Sequence, residues 1–180
     1  MFVSEIYEVE DCLYYDAMTS ASGDWTIPSA VSSSSIFGYS SNGWKYGYAS
    51  SYSGIALNKT FTLPFKIEVD IMDYTNSNAP APTIIFYDSN GNRKGGVAWG
   101  KIDSAGTNVM DNTTVYLVSS NNATKTHTHT VEVTSTDIKV YDEDTVVGNH
   151  SVNNTNVSKL ELHTGSNRMC QIKNFKIKPL

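Results

Sequence analysis

Charge is scarce in this sequence: charged residues make up 17% of its 180 residues, and the formal net charge is -5. A protein that binds along a nucleic acid neutralises phosphates with clustered Lys and Arg, and this chain has no such basic field. Long apolar runs are also missing, since no segment approaches the roughly 18 consecutive apolar residues of a membrane-spanning helix. The first residues, MFVSEIYEVE, are acidic where a signal peptide is basic and then apolar. We therefore expect no nucleic-acid partner, no membrane insertion and no signal peptide in this chain.

Cysteine is almost absent as well, with Cys12 near one end of the chain and Cys170 near the other. Two cysteines form no disulfide framework, and neither has a second Cys or a His at the spacing of zinc ligands. Two interpretations stay open, of which we favour two buried thiols. The alternative is a single bridge, which would stabilise the chain by roughly 4–5 kcal/mol in the chain-entropy model and would require terminal segments that lie side by side.

Apolar residues alternate with polar ones over most of the chain and almost nowhere recur at helical spacing. In the segment FKIEVDIM, Phe65, Ile67 and Val69 fall on one side of an extended chain, and the residues between them fall on the other. Seven further segments are predicted as strands: Thr83 to Asp88, Gly96 to Ile102, Thr114 to Ser119, Thr128 to Thr134, Asp137 to Asp142, Lys159 to Thr164 and Gln171 to Lys178. Many short antiparallel strands are typical of two packed sheets. We predict an all-β protein, a two-sheet antiparallel β-sandwich that forms one domain over residues 1–180, alone or as a module of a larger protein.

The stretch SIFGYSSNGWKYGYASSYSG, residues 35–54, concentrates aromatic residues among Ser and Gly. Trp44, Tyr46 and Tyr48 occupy alternate positions, so in a strand their rings project from one face. Rigid rings stack on the flat faces of sugars, and neighbouring amides bind sugar hydroxyls. The same rings could instead face inward and fill the core of the sandwich, and the sequence leaves both arrangements open. The ligand-binding candidates are Trp25, Asn42, Trp44, Tyr46, Tyr48 and Trp99.

Four segments follow one another in a familiar order: an early YYD followed by Trp25, then ALNKTFTLPFKIEVDI, VEVTSTDIKVYDEDTVV and KLELHTGSNRMCQIKNFKIKPL. In this order, over nearly the whole chain, the sequence resembles the concanavalin A-like lectin/glucanase superfamily, which includes laminin-G-like domains and many carbohydrate-binding modules. The resemblance implies a jelly roll in which a late hairpin contains the segment Asp137 to Asp142. It also implies a last strand that returns beside the first, which would place Cys12 and Cys170 on neighbouring strands.

One motif favours an enzyme of the same superfamily. The segment EVDIMD, Glu68 to Asp73, is similar to the E-x-D-x-x-E strand motif of laminarinase-like glycoside hydrolases, in which one Glu is the nucleophile and the other the general acid. Retaining glycosidases need two carboxyl groups about 5–5.5 Å apart, and the shorter side chain of Asp73 would widen that gap. We favour the interpretation that Glu68 and Asp70 form the polar face of a sheet. Glu68, Asp70 and Asp73 are the catalytic candidates of the alternative.

Metal ligands are weakly indicated. His127 and His129 lie on one side of a predicted strand, but no third ligand follows at a suitable spacing, so a polar strand face is favoured over a metal site. Asp88, Asn90 and Asn92 carry oxygens at alternate positions, as calcium loops do, although Asn90 followed by Gly is first of all a hairpin turn. Calcium is common in the superfamily. The resemblance therefore allows a structural calcium ion but does not assign its ligands, for which Asp88, Asn90 and Asn92 are the candidates.

Three functions compete on one fold, and the fold does not decide between them. We favour a non-catalytic, lectin-like carbohydrate-binding module that binds a cell-surface or cell-wall glycan. It would be extracellular, on a cell surface or virion, in an adhesin or in a phage tail or baseplate receptor-binding protein. The first alternative is a structural or protein–protein interaction domain of the same fold, and the second is a glycoside hydrolase. We expect a glycan or polysaccharide partner, and a homo-oligomer or a larger host protein.

Overall fold

The computed structural model describes residues 11–32, 37–48, 53–73, 83–99, 107–110, 115–119, 127–153, 156–164 and 168–180. Within these ranges the strands are β1 (Tyr14–Asp16), β2 (Trp25–Thr26), β3 (Gly38–Ser40), β4 (Gly43–Tyr48), β5 (Ser53–Leu57), β6 (Phe65–Asp73), β7 (Thr83–Tyr87), β8 (Arg93–Ala98), β9 (Thr107–Met110), β10 (Val115–Ser119), β11 (His127–Val133), β12 (Asp137–Asp142), β13 (Thr145–Ser151), β14 (Lys159–Thr164) and β15 (Arg168–Pro179). A single turn of helix, α1 (Ser29–Ser32), lies between β2 and β3. None of the helical residues in these ranges belongs to a segment that could cross a membrane.

The strands form two antiparallel sheets. In the first, called sheet A, the order is β13-β12-β11-β6-β15-β4-β3, and β1 also pairs with β15. In the second, called sheet B, the order is β10-β9-β8-β7-β14-β5-β2. The two sheets pack face to face around one cluster of buried apolar side chains contributed by both. The predicted all-β class and two-sheet antiparallel sandwich are confirmed.

Alternation along each strand decides which side chains enter the core. In β6 the apolar residues of the motif FKIEVDIM, such as Ile67 and Val69, are buried, whereas Glu68 and Asp70 face outward from sheet A. In β14, Leu160 and Leu162 are fully buried, and Glu161 between them faces outward from sheet B. Each fully buried aliphatic side chain contributes about 1.5–3 kcal/mol relative to an exposed one. The core therefore lies between the sheets, and each sheet has an outer face of mostly polar side chains.

The last strand returns beside the first, as the resemblance implies. Tyr14 lies opposite Ile177 in the β1–β15 pair, and the amide of Leu13 donates to the carbonyl of Ile177. Cys170 lies near the other end of β15, opposite Tyr46 of β4. Positions 170 and 177 are seven residue steps apart, which span roughly 20 Å of strand, but a disulfide joins Cα atoms at most about 7 Å apart. A bridge between Cys12 and Cys170 is therefore incompatible with this register, although the two strands are neighbours.

Asp16, at the end of β1, connects sheet A to the edge of sheet B. Its Oδ2 accepts hydrogen bonds from the indole Nε1 of Trp25 in β2, at 3.0 Å, and from the hydroxyl of Ser22, at 3.1 Å. Its Oδ1 accepts from the backbone amide of Met18, at 2.7 Å, where the chain turns with a positive φ of 60°. One carboxylate thus holds the loop between β1 and β2 and links β1 of sheet A to β2, the edge strand of sheet B.

Candidate functional site

The structure places the three tryptophans of the predicted sugar-stacking surface in the core. Trp44 in β4 and Trp99 after β8 are 0% exposed, and Trp25 in β2 is 5% exposed. The ring of Trp44 packs at 6.3 Å from that of Phe37, and the ring of Trp99 at 5.2 Å from that of His129. A buried ring offers no face to a ligand, so the prediction of these three residues as ligand-binding is wrong. The second arrangement that the sequence left open, with the rings filling the core, holds for Trp44.

The remaining members of that prediction belong to the edge of sheet A. Tyr46 and Tyr48 lie in β4, and their side chains are outside the described part of the structure. Asn42 is exposed in the turn between β3 and β4. Its backbone amide donates to the hydroxyl of Ser40, at 3.2 Å, and its backbone carbonyl accepts from the side chain of Gln171. Asn42 is thus accessible to solvent and stabilises a turn, but the buried tryptophans do not form a binding surface with it.

Glu68, a candidate of the hydrolase alternative, lies on the outer face of sheet A between two lysines. Its Oε1 is 3.0 Å from Nζ of Lys66, and its Oε2 is 2.7 Å from Nζ of Lys178. Partial burial raises the pKa of Glu68, but the hydrogen bonds and charges of Lys178 and Lys66 outweigh it, and the net pKa is lowered. An ionised carboxylate cannot donate the proton that a general acid must supply, although it is the form that a nucleophile needs. The contacts of Glu68 support the favoured interpretation, a polar sheet face.

Asp70 is likewise held by its neighbours on this face. It accepts from the hydroxyl of Thr128, at 2.7 Å, and from the side-chain amide of Asn174, at 2.7 Å. Asn174 has a positive φ of 52° where the register between β15 and β6 shifts, and this bulge directs its amide to Asp70. Asp73 ends β6, and its side chain is outside the described residues.

The predicted calcium loop is a hydrogen-bonded hairpin turn. Oδ1 of Asp88 accepts from the backbone amides of Asn90 and Asn92, both at 2.9 Å. Its Oδ2 accepts from the side chain of Asn92 at 3.1 Å and lies 3.5 Å from Nζ of Lys94. These bonds lower the pKa of Asp88, and the hydrogen bond from the side chain of Asn92 contributes most. The carboxylate therefore stabilises the turn between β7 and β8, and its oxygens are occupied by N–H donors.

Histidine does not supply a metal site in the described ranges either. His129 is fully buried against Trp99, so it faces the core, which corrects the expectation of a polar strand face at this position. The side chain of His127 is outside the described residues. Among the residues that the structure describes, no group of three or more His, Cys, Asp or Glu side chains is arranged to hold a metal ion. A structural calcium ion stays a prediction.

A pocket that the sequence did not indicate opens on the outer face of sheet B. Its volume is about 400 Å³, within the range of small-ligand sites. The lining comes from β2, β5 and β14 and from the residues that follow β2 and β5. The lining residues are Thr26, Pro28, Gly54, Ala56, Asn58, Lys159, Glu161 and His163.

Small residues on β5 create the pocket. Ile55 and Leu57 are buried in the core, so Gly54 and Ala56 face outward and form a low floor. Register places Ala56 between Thr26 of β2 and Glu161 of β14. A Cβ at Gly54 would overlap the carbonyl oxygen of Leu162, so the glycine also permits the close approach of β5 to β14. The longer side chains of β14 rise beside this floor and form one wall.

Glu161 is the central charged group of the pocket. Its Oε1 accepts from Nζ of Lys159 at 2.7 Å, and its Oε2 lies 2.7 Å from Nε2 of His163, which must carry a proton to donate. The hydrogen bond with His163 is the main cause that lowers the pKa of Glu161 to about 2; partial burial opposes it and Lys159 adds to it. The pocket therefore presents an ionised carboxylate at neutral pH.

Tyr87 and Asn58 complete the polar surroundings. Nζ of Lys159 lies 4.4 Å from the ring centroid of Tyr87, a cation–π contact. Burial, and to a smaller extent the negative charge of Glu161, raises the pKa of Tyr87 to about 12. On the opposite side, Nδ2 of Asn58 donates to the hydroxyl of Thr26 at 2.8 Å. The pocket thus holds a carboxylate acceptor, an ammonium donor, an amide and a hydroxyl around a floor of small residues.

The sequence contained a partial signal for this site. In KLELHT, Lys159, Glu161 and His163 alternate with buried leucines, which predicts a polar outer face on that strand. Nothing in the local pattern indicates that Gly54 and Ala56 lie beside them, because the pairing of β5 with β14 joins residues that are far apart in the chain. The pocket could therefore not be identified from the strand alone.

No family model matches the sequence, and no curated protein matches it. Solved structures match the fold: CBM66, a carbohydrate-binding module from Bacillus subtilis, is 14% identical with a TM-score of 0.59, over 86% of this chain and 95% of that chain. The β-glucanase of Bacillus licheniformis is 12% identical with a TM-score of 0.65, over 93% and 97% of the two chains. A sialidase is 13% identical with a TM-score of 0.62 over 76% of this chain, which spans 15% of the sialidase. The chain thus has the concanavalin A-like jelly-roll fold that the resemblance of its sequence implied.

Proposed function

We propose that this chain is a non-catalytic carbohydrate-binding module and that it binds a glycan in the pocket of sheet B. The observation that carries the proposal is the set of convergent polar groups, Glu161, Lys159 and Asn58, around an open floor of small residues. Sugar hydroxyls both donate and accept hydrogen bonds, so they need acceptors and donors side by side. The fold shared with the carbohydrate-binding module CBM66 supports the same function.

The chemistry of the pocket favours binding over hydrolysis. A glycosidase of the two-carboxylate type needs a protonated acid and a second carboxyl group across the scissile bond. Among the described lining residues Glu161 is the one carboxyl group, and its pKa of about 2 keeps it ionised. The outward carboxyl groups of the motif EVDIMD lie on sheet A, the opposite side of the sandwich from this pocket.

Filling the pocket tests the proposal. Ala56→Leu adds three carbon atoms to the pocket floor on the outer face of sheet B and leaves the buried side chains of β5 unchanged. We expect binding on a glycan array, followed by titration calorimetry with the best ligand, to weaken at least ten-fold in this variant. The matched control is Thr145→Leu, an exposed strand position on sheet A, which should bind as the unmodified protein does. Undiminished binding by Ala56→Leu would assign the glycan to another surface, and no binding to any glycan would contradict the proposed function.

The extracellular location of the module is part of the same proposal. Polysaccharides of cell walls and cell surfaces lie outside the cell, so we assign the module to a surface adhesin or to a phage tail or baseplate receptor-binding protein. A pull-down on isolated cell walls should retain the protein and lose it with Ala56→Leu. Retention of both proteins to the same extent would contradict a role for the pocket in attachment.

A further inference from the structure

Asn58 closes one end of the pocket on sheet B. The floor runs along β5 through Gly54 and Ala56, and Asn58, which follows the strand, lines the pocket two residues beyond Ala56. Nδ2 of Asn58 donates to the hydroxyl of Thr26 at 2.8 Å, and Thr26 is the cross-strand neighbour of Ala56. The two side chains therefore meet at the edge of the floor. A ligand that lies along β5 can extend over the floor only as far as this hydrogen bond.

The residue after Asn58 supports this closed end. Nζ of Lys59 lies 3.0 Å from Oδ1 of Asp24, just before β2. The same ammonium group lies 4.7 Å from the ring centroid of Tyr14, whose side chain belongs to the core. The segment after β5 is thus linked at two successive positions to β2 and to the residue before it.

The two long sides of the floor are bounded as well. On one side stand the outward side chains of β14, of which Glu161 lies opposite Ala56. On the other side lies Pro28, whose carbonyl accepts from the backbone amide of Val31 at 2.9 Å. Val31 is fully buried, so this side is anchored in the core. The described residues therefore bound the floor on three sides.

A terminal sugar unit suits such a closed end better than an internal unit of a chain does. An internal unit is bonded to a neighbour on each side and needs two exits from the pocket, whereas a terminal unit needs one. A terminal unit also keeps a free hydroxyl where an internal unit carries a glycosidic bond.

The amide of Asn58 matches that free hydroxyl. It offers a carbonyl oxygen and a second N–H besides the one that it donates to Thr26. A hydroxyl can donate to the first and accept from the second, but a glycosidic oxygen can only accept. Asn58 therefore has more hydrogen bonds to offer a chain end than a position inside the chain.

We infer, resting on the proposed function, that the pocket binds the terminal unit of a glycan chain. The closed end formed by Asn58 and Thr26 receives the free hydroxyl of that unit, and Asn58 distinguishes it from a unit inside the chain. The ligands of the pocket are thus chain ends, and internal stretches of a polysaccharide are excluded from it.

Multiplying the ends of a polymer tests the inference while the natural ligand is still unidentified. The probes are pullulan, mixed-linkage β-glucan, β-1,4-galactan, glucomannan and arabinan, each intact and after mild acid hydrolysis to about one tenth of its mean chain length. We expect binding to at least one polymer, and the number of protein molecules bound per gram, measured by titration calorimetry, to rise about ten-fold on hydrolysis. An unchanged number per gram would overturn the inference and leave the proposed function intact. Binding to no probe, intact or hydrolysed, would contradict the proposed function and the inference with it.

Variants at the closed end give a second test on the same hydrolysed polymer. Asn58→Ala removes the amide, so we expect binding to weaken at least ten-fold. Thr26→Val removes the hydroxyl that positions Asn58 and should weaken binding less, whereas Thr26→Ser retains the hydroxyl and should bind as the unmodified protein does. Asn149→Ala, at an exposed position of β13 on sheet A, is the matched control and should also bind unchanged. Unchanged binding by a folded Asn58→Ala protein, with folding verified by circular dichroism, would overturn the inference.

Discussion

At the scale of single residues, neighbouring donors determine what each carboxyl group can do. Glu161 lies between Lys159 and His163, and Glu68 lies between Lys66 and Lys178. In both cases the partners lower the pKa of the carboxyl group, so neither carries a proton at neutral pH. Lys159 and His163 lie on the same strand as Glu161, whereas one of the two donors to Glu68, Lys178, comes from the neighbouring strand β15.

The lowered pKa of Glu161 predicts a pH dependence of stability. Because its pKa is about 2 in the folded protein, against an ordinary value of 4.5, ionised Glu161 stabilises the fold above about pH 4.5. This stabilisation, on the order of 3 kcal/mol, is lost as the pH falls through about 2. The difference in free energy of unfolding between the unmodified protein and Glu161→Gln should shrink from pH 5 to pH 2, measured by urea denaturation. Asp144→Asn, at an exposed turn, serves as the control; a constant difference for Glu161→Gln would contradict the prediction.

At the scale of elements, the pairing of β5 with β14 both builds the sheet and shapes the pocket. Gly54 lies opposite His163 and Ala56 opposite Glu161, so the floor and the polar wall are cross-strand neighbours. The small residues cost β5 the packing that larger side chains give a strand, but they allow the backbones to approach closely. The pocket thus depends on the register of this one strand pair.

Gly54→Ala is predicted to disturb that pair. The new Cβ would overlap the carbonyl oxygen of Leu162, so β5 and β14 must separate locally. We expect a loss of about 1–3 kcal/mol in the free energy of unfolding, as for other overpacked sites. Gly38→Ala is the matched control, because a Cβ at this strand glycine meets nothing within 4 Å. Equal thermal stabilities of the two variants would contradict the predicted overlap.

At the scale of the whole molecule, a few contacts connect the two sheets beside their shared core. Asp16 belongs to β1 of sheet A, and its bond with the indole of Trp25 reaches β2 of sheet B. The rings of Tyr14, Trp25 and Phe175 pack edge to face around this point, with centroids 5.5–6.4 Å apart. This cluster holds the edge strand that contributes Thr26 to the pocket.

Asp16→Ala is predicted to weaken the contact between the sheets. The change removes a charged acceptor and leaves the buried Nε1 of Trp25 without it, so we expect a loss of about 3 kcal/mol in the free energy of unfolding. Urea denaturation followed by tryptophan fluorescence measures the effect. Asp24→Ala is the control, because Asp24 pairs with Lys59 in an exposed salt bridge worth at most about 1 kcal/mol. Equal losses in the two variants would argue against a special role for Asp16.

Most of the fold was predictable because its signal is local. Buried and outward positions alternate in β6 and β14 as the sequence pattern predicts. The return of β15 beside β1 joins the two ends of the chain and was implied by the resemblance, not by a local pattern. The aromatic stretch was the ambiguous case, since alternation places Trp44 on one face of a strand without indicating which face is buried. Trp44 faces the core, where its large apolar surface is removed from water.

By itself, the sequence pattern determined the class of the protein, antiparallel strands in two sheets, because a period of two is a property of neighbouring residues. The jelly-roll order was implied by the resemblance to a known superfamily. Only the tertiary structure decided which residues form a site. Glu161 meets Ala56 on one side and Ile85 on the other through pairings between strands distant in the chain. The tertiary structure also places Glu68, between Lys66 and Lys178, on sheet A, away from the pocket on sheet B. The physical reason is that alternation is encoded along one strand, whereas a binding site is formed by the side chains of several strands whose order and register the local pattern does not specify.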